Sequence, residues 1–172
     1  MPAFDLNTQE KVLEGLKNRT LELAQAAAER IGKKGIVRDL QPTDIGLSNE
    51  YWEVDLSGGT APGWNVYSTF TVADNARIGL GGIFNNTPCP IVSKVRIKAG
   101  SSYVREWELE PWYACGCPFR VLQPDEQIIF SENTEVTIEV YLKAPGVTNL
   151  GFYGYVGEPA GKTINKTAEI DP

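Results

Sequence analysis

The chain has 172 residues and a mass of 18.9 kDa, with 42% hydrophobic and 22% charged residues. That composition suits one self-supporting domain with an appended segment, and the length is short for two. Histidine is absent, and the formal net charge of −6 goes with a pI near 4.8. Histidine-based acid–base, nucleophilic and metal chemistry is therefore excluded, and an acidic surface makes nucleic acid a poor partner. No apolar run approaches the roughly 18 residues of a membrane span. The first residues, Met1-Pro2-Ala3-Phe4-Asp5, lack a basic stretch followed by an apolar one, so neither a membrane span nor a cleaved secretion signal is expected.

The first element predicted is a helix over Asn7–Ile31, with Asn7 as cap, Glu10 completing a capping box and Gly32 at the end. Its apolar residues Leu13, Leu16, Leu23, Ala24, Ala27 and Ile31 recur at intervals of three, four and seven. That makes a narrow seam, suited to a helical or oligomeric partner or to the helix's own domain, with Gly15 and Thr20 weakening a coiled coil. Residues 33–50 mix Gly, Pro, Asp and Asn without a period and read as a connector. Residues 1–40 carry seven Lys/Arg against six Asp/Glu, whereas 41–172 carry nine against sixteen. An almost neutral arm thus precedes an acidic body.

After the connector the period becomes two. Trp52, Val54 and Leu56, then Trp64, Val66, Phe70 and Val72, fall in one register and are expected to point inward. Tyr67, in the other register, is expected to point outward. Further strands are predicted over 77–84, 91–99, 103–110, 119–130 with a break at Gln123-Pro124-Asp125, 135–142 and 148–157. The turns between them are rich in Gly, Pro, Asn and Asp, and no helical period intervenes. The fold expected is mainly β: an antiparallel jelly-roll-like β-sandwich of about eight strands with an N-terminal α-helical arm. The chain divides into an arm and connector (1–48), a sandwich body (49–158) able to fold alone, and an extended polar tail (159–172).

Motifs that could carry chemistry are sparse. Gly79-Leu80-Gly81-Gly82 lacks the following helix and Lys-Ser/Thr of a phosphate loop, so it marks a bulged strand that another backbone approaches closely. Glu106, Glu108 and Glu110 share a strand face opposite Trp107 and Leu109, as on a solvated strand, and Asp125/Glu126 and Glu135/Glu139 give no more specific signal for a glycosidase. Cys89, Cys115 and Cys117 are too few for a disulfide framework and point to a reducing cytoplasm. Cys115 and Cys117 supply two of a structural zinc's four ligands, so buried free thiols are preferred over a redox pair or a shared metal site. No cofactor or metal is expected. The Asn-x-Ser/Thr patterns at Asn18, Asn85 and Asn165 read as incidental. Trp112, in a turn-like stretch, and the outward-register Tyr67, Tyr153 and Tyr155 are candidates for a protein interface or for glycan stacking.

The closing segments Gln123–Phe130, Val136–Leu142 and Leu150–Val156, together with the arm, connector and polar tail, resemble tailed-phage capsid decoration (cement) proteins. The resemblance is architectural and rests, in those three segments, on a generic strand signature. It implies a structural, non-enzymatic virion protein, assembled in the host cytoplasm. Such a protein sits on the capsid's outer surface, often as a homotrimer, and clamps neighbouring major capsid proteins. The partner contacts expected are Leu13, Leu16, Leu23, Ile31, Tyr67, Trp112, Tyr153 and Tyr155, with no nucleic acid and no membrane. A glycan-binding sandwich is the alternative, favoured if Trp112 and the tyrosines share a groove.

Overall fold

Alternating apolar and polar residues wind the chain into two facing antiparallel sheets in the computed structural model, which describes residues 6–48, 50–87, 90–114, 116 and 119–161. All three cysteines, Asn165 and the tail from 162 onward lie outside the described residues. Helix α1 (Leu6–Glu29) leads into β1 (Gly35–Asp39), a 3₁₀ turn (Pro42–Ile45) and β2 (Val54–Leu56). There follow β3 (Gly63–Thr71), β4 (Arg77–Asn85), β5 (Val92–Ala99), β6 (Ser102–Glu108) and the short helix α2 (Glu110–Ala114). The chain closes with β7 (Phe119–Val121), β8 (Ile128–Phe130), β9 (Glu135–Leu142), β10 (Gly146–Thr148) and β11 (Leu150–Pro159).

One sheet runs β1-β11-β4, with β7 and β8 sharing the far edge of β4, and the other runs β3-β9-β5-β6. With β7 and β8 counted as one interrupted strand, eight principal strands interleave in jelly-roll order. The first sheet takes the first, eighth, third and sixth of them, and the second takes the second, seventh, fourth and fifth. A ribbon of β2 and β10 closes one end. Val95, Ile97, Ile138 and Val140 face Leu80, Ile83, Leu150 and Phe152 across the core, as the alternation requires.

Residues 33–50 are more than a connector. Gly35–Asp39 pairs along its whole length with Asp39↔Tyr155 to Gly35↔Pro159, forming the sheet's outer strand. Five residues with a central Ile36-Val37 pair are too short to establish a period in sequence. Arg38 pins this strand in place. Its guanidinium grips Asp44 with two bonds of 2.7 and 2.8 Å and donates to the buried Glu158 at 2.8 Å.

The helix is a third layer and not a projecting arm, which corrects the expected division at residue 48. Leu16, Thr20, Ala24, Ala27 and Ala28 are buried against the outer face of the first sheet, while Leu23 (44% exposed) and Ile31 (47%) face solvent. The seam therefore follows a four-residue spacing that includes Thr20, whose hydroxyl donates to the Leu16 carbonyl at 2.8 Å. The sheet under it is paved with glycine. A Cβ on Gly79 would lie 2.7 Å from Thr20 Oγ1, one on Gly81 2.6 Å from Leu16 Cδ2, one on Gly157 2.6 Å from Ala24 Cβ, and one on Gly35 2.7 Å from the Gln25 backbone. The glycine run of β4 is thus a bulged strand, as expected, but what comes down on Gly79 and Gly81 is the helix side chains Leu13, Leu16 and Thr20 and not another backbone, with Gly81 left out of register where pairing jumps from Gly82↔Tyr153 to Leu80↔Gly154.

At its end the helix closes on Gly32 (φ 68°), which lets the Lys33 N–H reach the Ala28 carbonyl at 3.0 Å. Beyond the apolar contact, Arg19 donates to Gln127, and Arg30 pairs with Glu132 at 2.7 Å. Glu132 also accepts from the Asn75 N–H at 2.6 Å and lies 3.6 Å from Arg77.

A Gly157→Ala substitution forces a methyl into the Ala24 and Thr20 contacts. It should cost about 1–3 kcal/mol and lower the melting temperature by several degrees in calorimetry. A chain beginning at Gly35 leaves the glycine face bare and should lose its cooperative melt. Arg30, then the Asn75 N–H and Arg77, hold the Glu132 carboxyl below its usual value. Its contribution is therefore present above the unfolded carboxyl pKa and lost as pH falls. The melting difference between the wild type and Glu132→Gln, measured from pH 7 downward, should shrink below about pH 4.

Candidate functional site

With one sheet covered by α1, the outer face of β3-β9-β5-β6 is the broad strand surface left open. The central strand β5 presents Lys94, Arg96 and Lys98 outward while Val95 and Ile97 point into the core. Glu139 on β9 receives Arg96 Nε at 2.9 Å and Nη2 at 3.4 Å. On β6, Glu106 pairs in register with Arg96, and Glu108 lies 3.7 Å from Lys94. The Arg96 guanidinium also lies 4.0 Å from the centre of the Trp64 ring and 4.3 Å from that of Tyr103. Tyr141 packs edge-on against Trp64 at 5.4 Å, and the Lys94 ammonium lies 5.8 Å from its ring. The Glu139 hydrogen bond pushes the already high Arg96 pKa further up, so the charge persists at every working pH. Val66 (54% exposed) and Tyr103 (56%) complete an aromatic, apolar and cationic patch.

This patch exists because β3 breaks register between Val66 and Ser68. One extra residue reverses the sides on which successive side chains fall. Trp64 and Val66, expected inward, lie on the outer face, whereas Tyr67, expected outward, is buried among the core residues. The Tyr67 hydroxyl donates to the Leu150 carbonyl, and burial pushes its pKa up. Tyr67 is therefore a core residue and is not available to a partner.

The other expected contacts are dispersed. Leu16 is fully buried under the helix and is likewise unavailable, Leu13 is half-buried beside it, and Leu23 and Ile31 are exposed on the helix's far side. Trp112, on α2, is half-buried against the core with the Arg120 guanidinium 4.3 Å from its ring. The adjacent Tyr113 phenol is pushed up to about 12 by burial and accepts from Asn85 Nδ2 at 3.1 Å. Asn85 is itself 6% exposed, so its side chain is committed to the interior and closed to glycosylation. Tyr153 and Tyr155 lie on the helix side of the first sheet beside Lys17, Tyr153 half-buried at the surface and Tyr155, expected outward, buried beneath the helix at 6% exposed. Arg120 pairs with Ile83 on the opposite, core side, so Trp112 and the two tyrosines do not share a groove. Trp52, expected inward, is half-buried and packs edge-on against Phe84 and Phe152.

Of the carboxylates singled out in sequence, four meet cations: Glu139 with Arg96, Glu126 with Arg120 at 2.8 Å, Glu110 with Lys143 at 2.7 Å and, more loosely, Glu108 with Lys94. Among the described residues no three His, Cys, Asp or Glu side chains gather into a metal-binding group, and no helix is long and apolar enough to cross a membrane. Sequence reasoning passed over Arg96 and Tyr103, although Lys94-x-Arg96-x-Lys98 alternating with Val95 and Ile97 is a row of cations on one strand face. What it could not show was the Trp64 ring arriving from β3.

No protein-family model matches the sequence, and no curated protein matches it. Among solved structures, the core of Drosophila NLP, described with pentamer formation and histone binding, is 11% identical over 72% of this chain and 94% of its own, with a TM-score of 0.29. An acetyl xylan esterase, Est2A, from the rumen bacterium Butyrivibrio proteoclasticus is 12% identical over 62% of this chain, with a TM-score of 0.24, and this chain spans 32% of it. Likenesses this weak carry no argument about function.

Proposed function

We propose that this is a structural, non-enzymatic virion protein that binds the outer surface of a phage capsid, and that it applies the uncovered face of β3-β9-β5-β6 to the major capsid protein. The observation that carries the reading is the stack of Arg96 between Trp64 and Tyr103 on a sheet face over which none of the described elements packs. Arg, Trp and Tyr are the residues that dominate binding energy in protein interfaces. Here they are held in place before any partner arrives, so little side-chain entropy is lost on docking. Alternating rows of cations and carboxylates across β9, β5 and β6 give the face a charge pattern that fixes orientation more than strength.

A three-layered body with its helix locked down is a rigid cleat. On a lattice that repeats its binding site many times, modest affinity per site holds a shell together, and a homotrimer multiplies the contacts. The absence of histidine and the pairing of Glu139 with Arg96 and of Glu108 with Lys94 support a role without turnover.

The test pairs Arg96→Lys with Tyr103→Ala, which keeps the charge but removes the planar stack. Co-sedimentation with shells of the encoding phage should weaken by at least about ten-fold, roughly 1.4 kcal/mol, while the melting temperature stays within a few degrees. Undiminished binding by this double variant would refute the assignment of the face. A wild-type protein that binds no shell would refute the virion role itself.

A further inference from the structure

Between the first half of α1 and the start of β11 runs a groove of about 410 Å³, within the range of small-molecule sites. It lies on the side of the body opposite the Arg96 face and is independent of the role proposed for that face. Its floor is aromatic. The rings of Tyr153 and Tyr155 meet edge to face at 5.8 Å, and Phe119 backs Tyr153 at 6.2 Å. Its helical wall is polar, with Glu10, Glu14 and Asn18 one above another at four-residue intervals. Among the described residues none of these three has a hydrogen-bond or ion-pair partner, although the Glu14 charge is felt at Tyr155. Lys17 stands over the Tyr155 ring at 5.9 Å.

We propose that this groove binds a neutral saccharide, with a sugar ring stacked on Tyr153 and its hydroxyls donating to Glu10, Glu14 and the Asn18 carbonyl. The lining selects against the alternatives. Two carboxylates against one ammonium repel anions. A cation must displace Lys17 from the Tyr155 face. A purely apolar ligand strips water from the carboxylates and the amide and returns no hydrogen bonds. A polyhydroxylated ring offers an apolar C–H face to Tyr153 and donors to the carboxylates together. Burial, then the Tyr153 hydroxyl and the charges of Asp39 and Glu14, push the Tyr155 phenol up, so it stays neutral as the buried base on which the Tyr153 ring rests.

The test is a titration of the isotope-labelled full chain with maltose, cellobiose, lactose and N,N′-diacetylchitobiose, followed by amide NMR. At least one sugar should produce saturable shifts at residues 10–18 and 153–155, including the Asn18 side-chain amide, with a Kd of roughly 0.1–10 mM. Asn18→Ala and Glu14→Gln, both on the exposed helix surface, should each weaken binding about five-fold or more. Tyr153→Ala should abolish it, and Tyr103→Ala should leave it unchanged. No groove response to any of the four sugars at about 100 mM, well above that Kd range, overturns the proposal. So do shifts that survive Asn18→Ala and Glu14→Gln undiminished, shifts confined to the Arg96 face, or a response to choline with none to sugar.

Discussion

The close approach of α1 to a sheet stripped of side chains is the contact on which the arrangement depends. Helix and sheet ordinarily meet through interdigitated side chains. Here Gly79, Gly81, Gly157 and Gly35 let Leu16, Thr20, Ala24 and Gln25 come down onto backbone. Those small residues on both sides leave no play, because packed interiors tolerate neither voids nor added methyls. Thr20 can occupy such a seam because its hydroxyl bonds the preceding turn. The helix in turn covers β1, β11 and β4 and leaves the opposite sheet as the broad open surface.

From that one constraint the two faces acquire different characters. The helix side is closed except where α1 and β11 diverge enough to admit a groove, and its polar groups there come from the helix. The open side is sheet throughout, and its chemistry is set by strand parity: cations on β5, acids on β9 and β6, aromatics from β3, β9 and β6. The two surfaces share no residues, so each can be altered without disturbing the other.

Much of this was legible in the sequence. The strands from β3 onward, the break at Gln123-Pro124-Asp125, the opposition of Trp107 and Leu109 to the glutamates and the bulged glycine strand follow from local periodicity and turn chemistry. What was not legible needed a partner element. Trp64 and Tyr67 exchange sides because a one-residue bulge reverses parity, and parity counted along an isolated strand has no means of registering the extra residue. The helix seam could not be assigned between a partner and the helix's own domain, because the alanines and Thr20 that bury it carry little apolar signal, whereas Leu23 and Ile31, counted with them, face water. Strand β1 escaped notice because its evidence lies in β11, more than a hundred residues away.

The outer strand β6 carries one more consequence. Its free edge is interrupted where pairing jumps from Ile97↔Arg105 to Lys98↔Tyr103, leaving Val104 out of the ladder. Arg105 donates to the Asp125 carbonyl at 2.7 Å, and Glu106 and Glu108 stand exposed along the same strand. A kinked and charged edge is a poor template for a further strand. Copies of this chain are thereby discouraged from joining their sheets edge to edge through β6. Association through broad faces remains, and it can close on itself in a finite ring in place of a fibre.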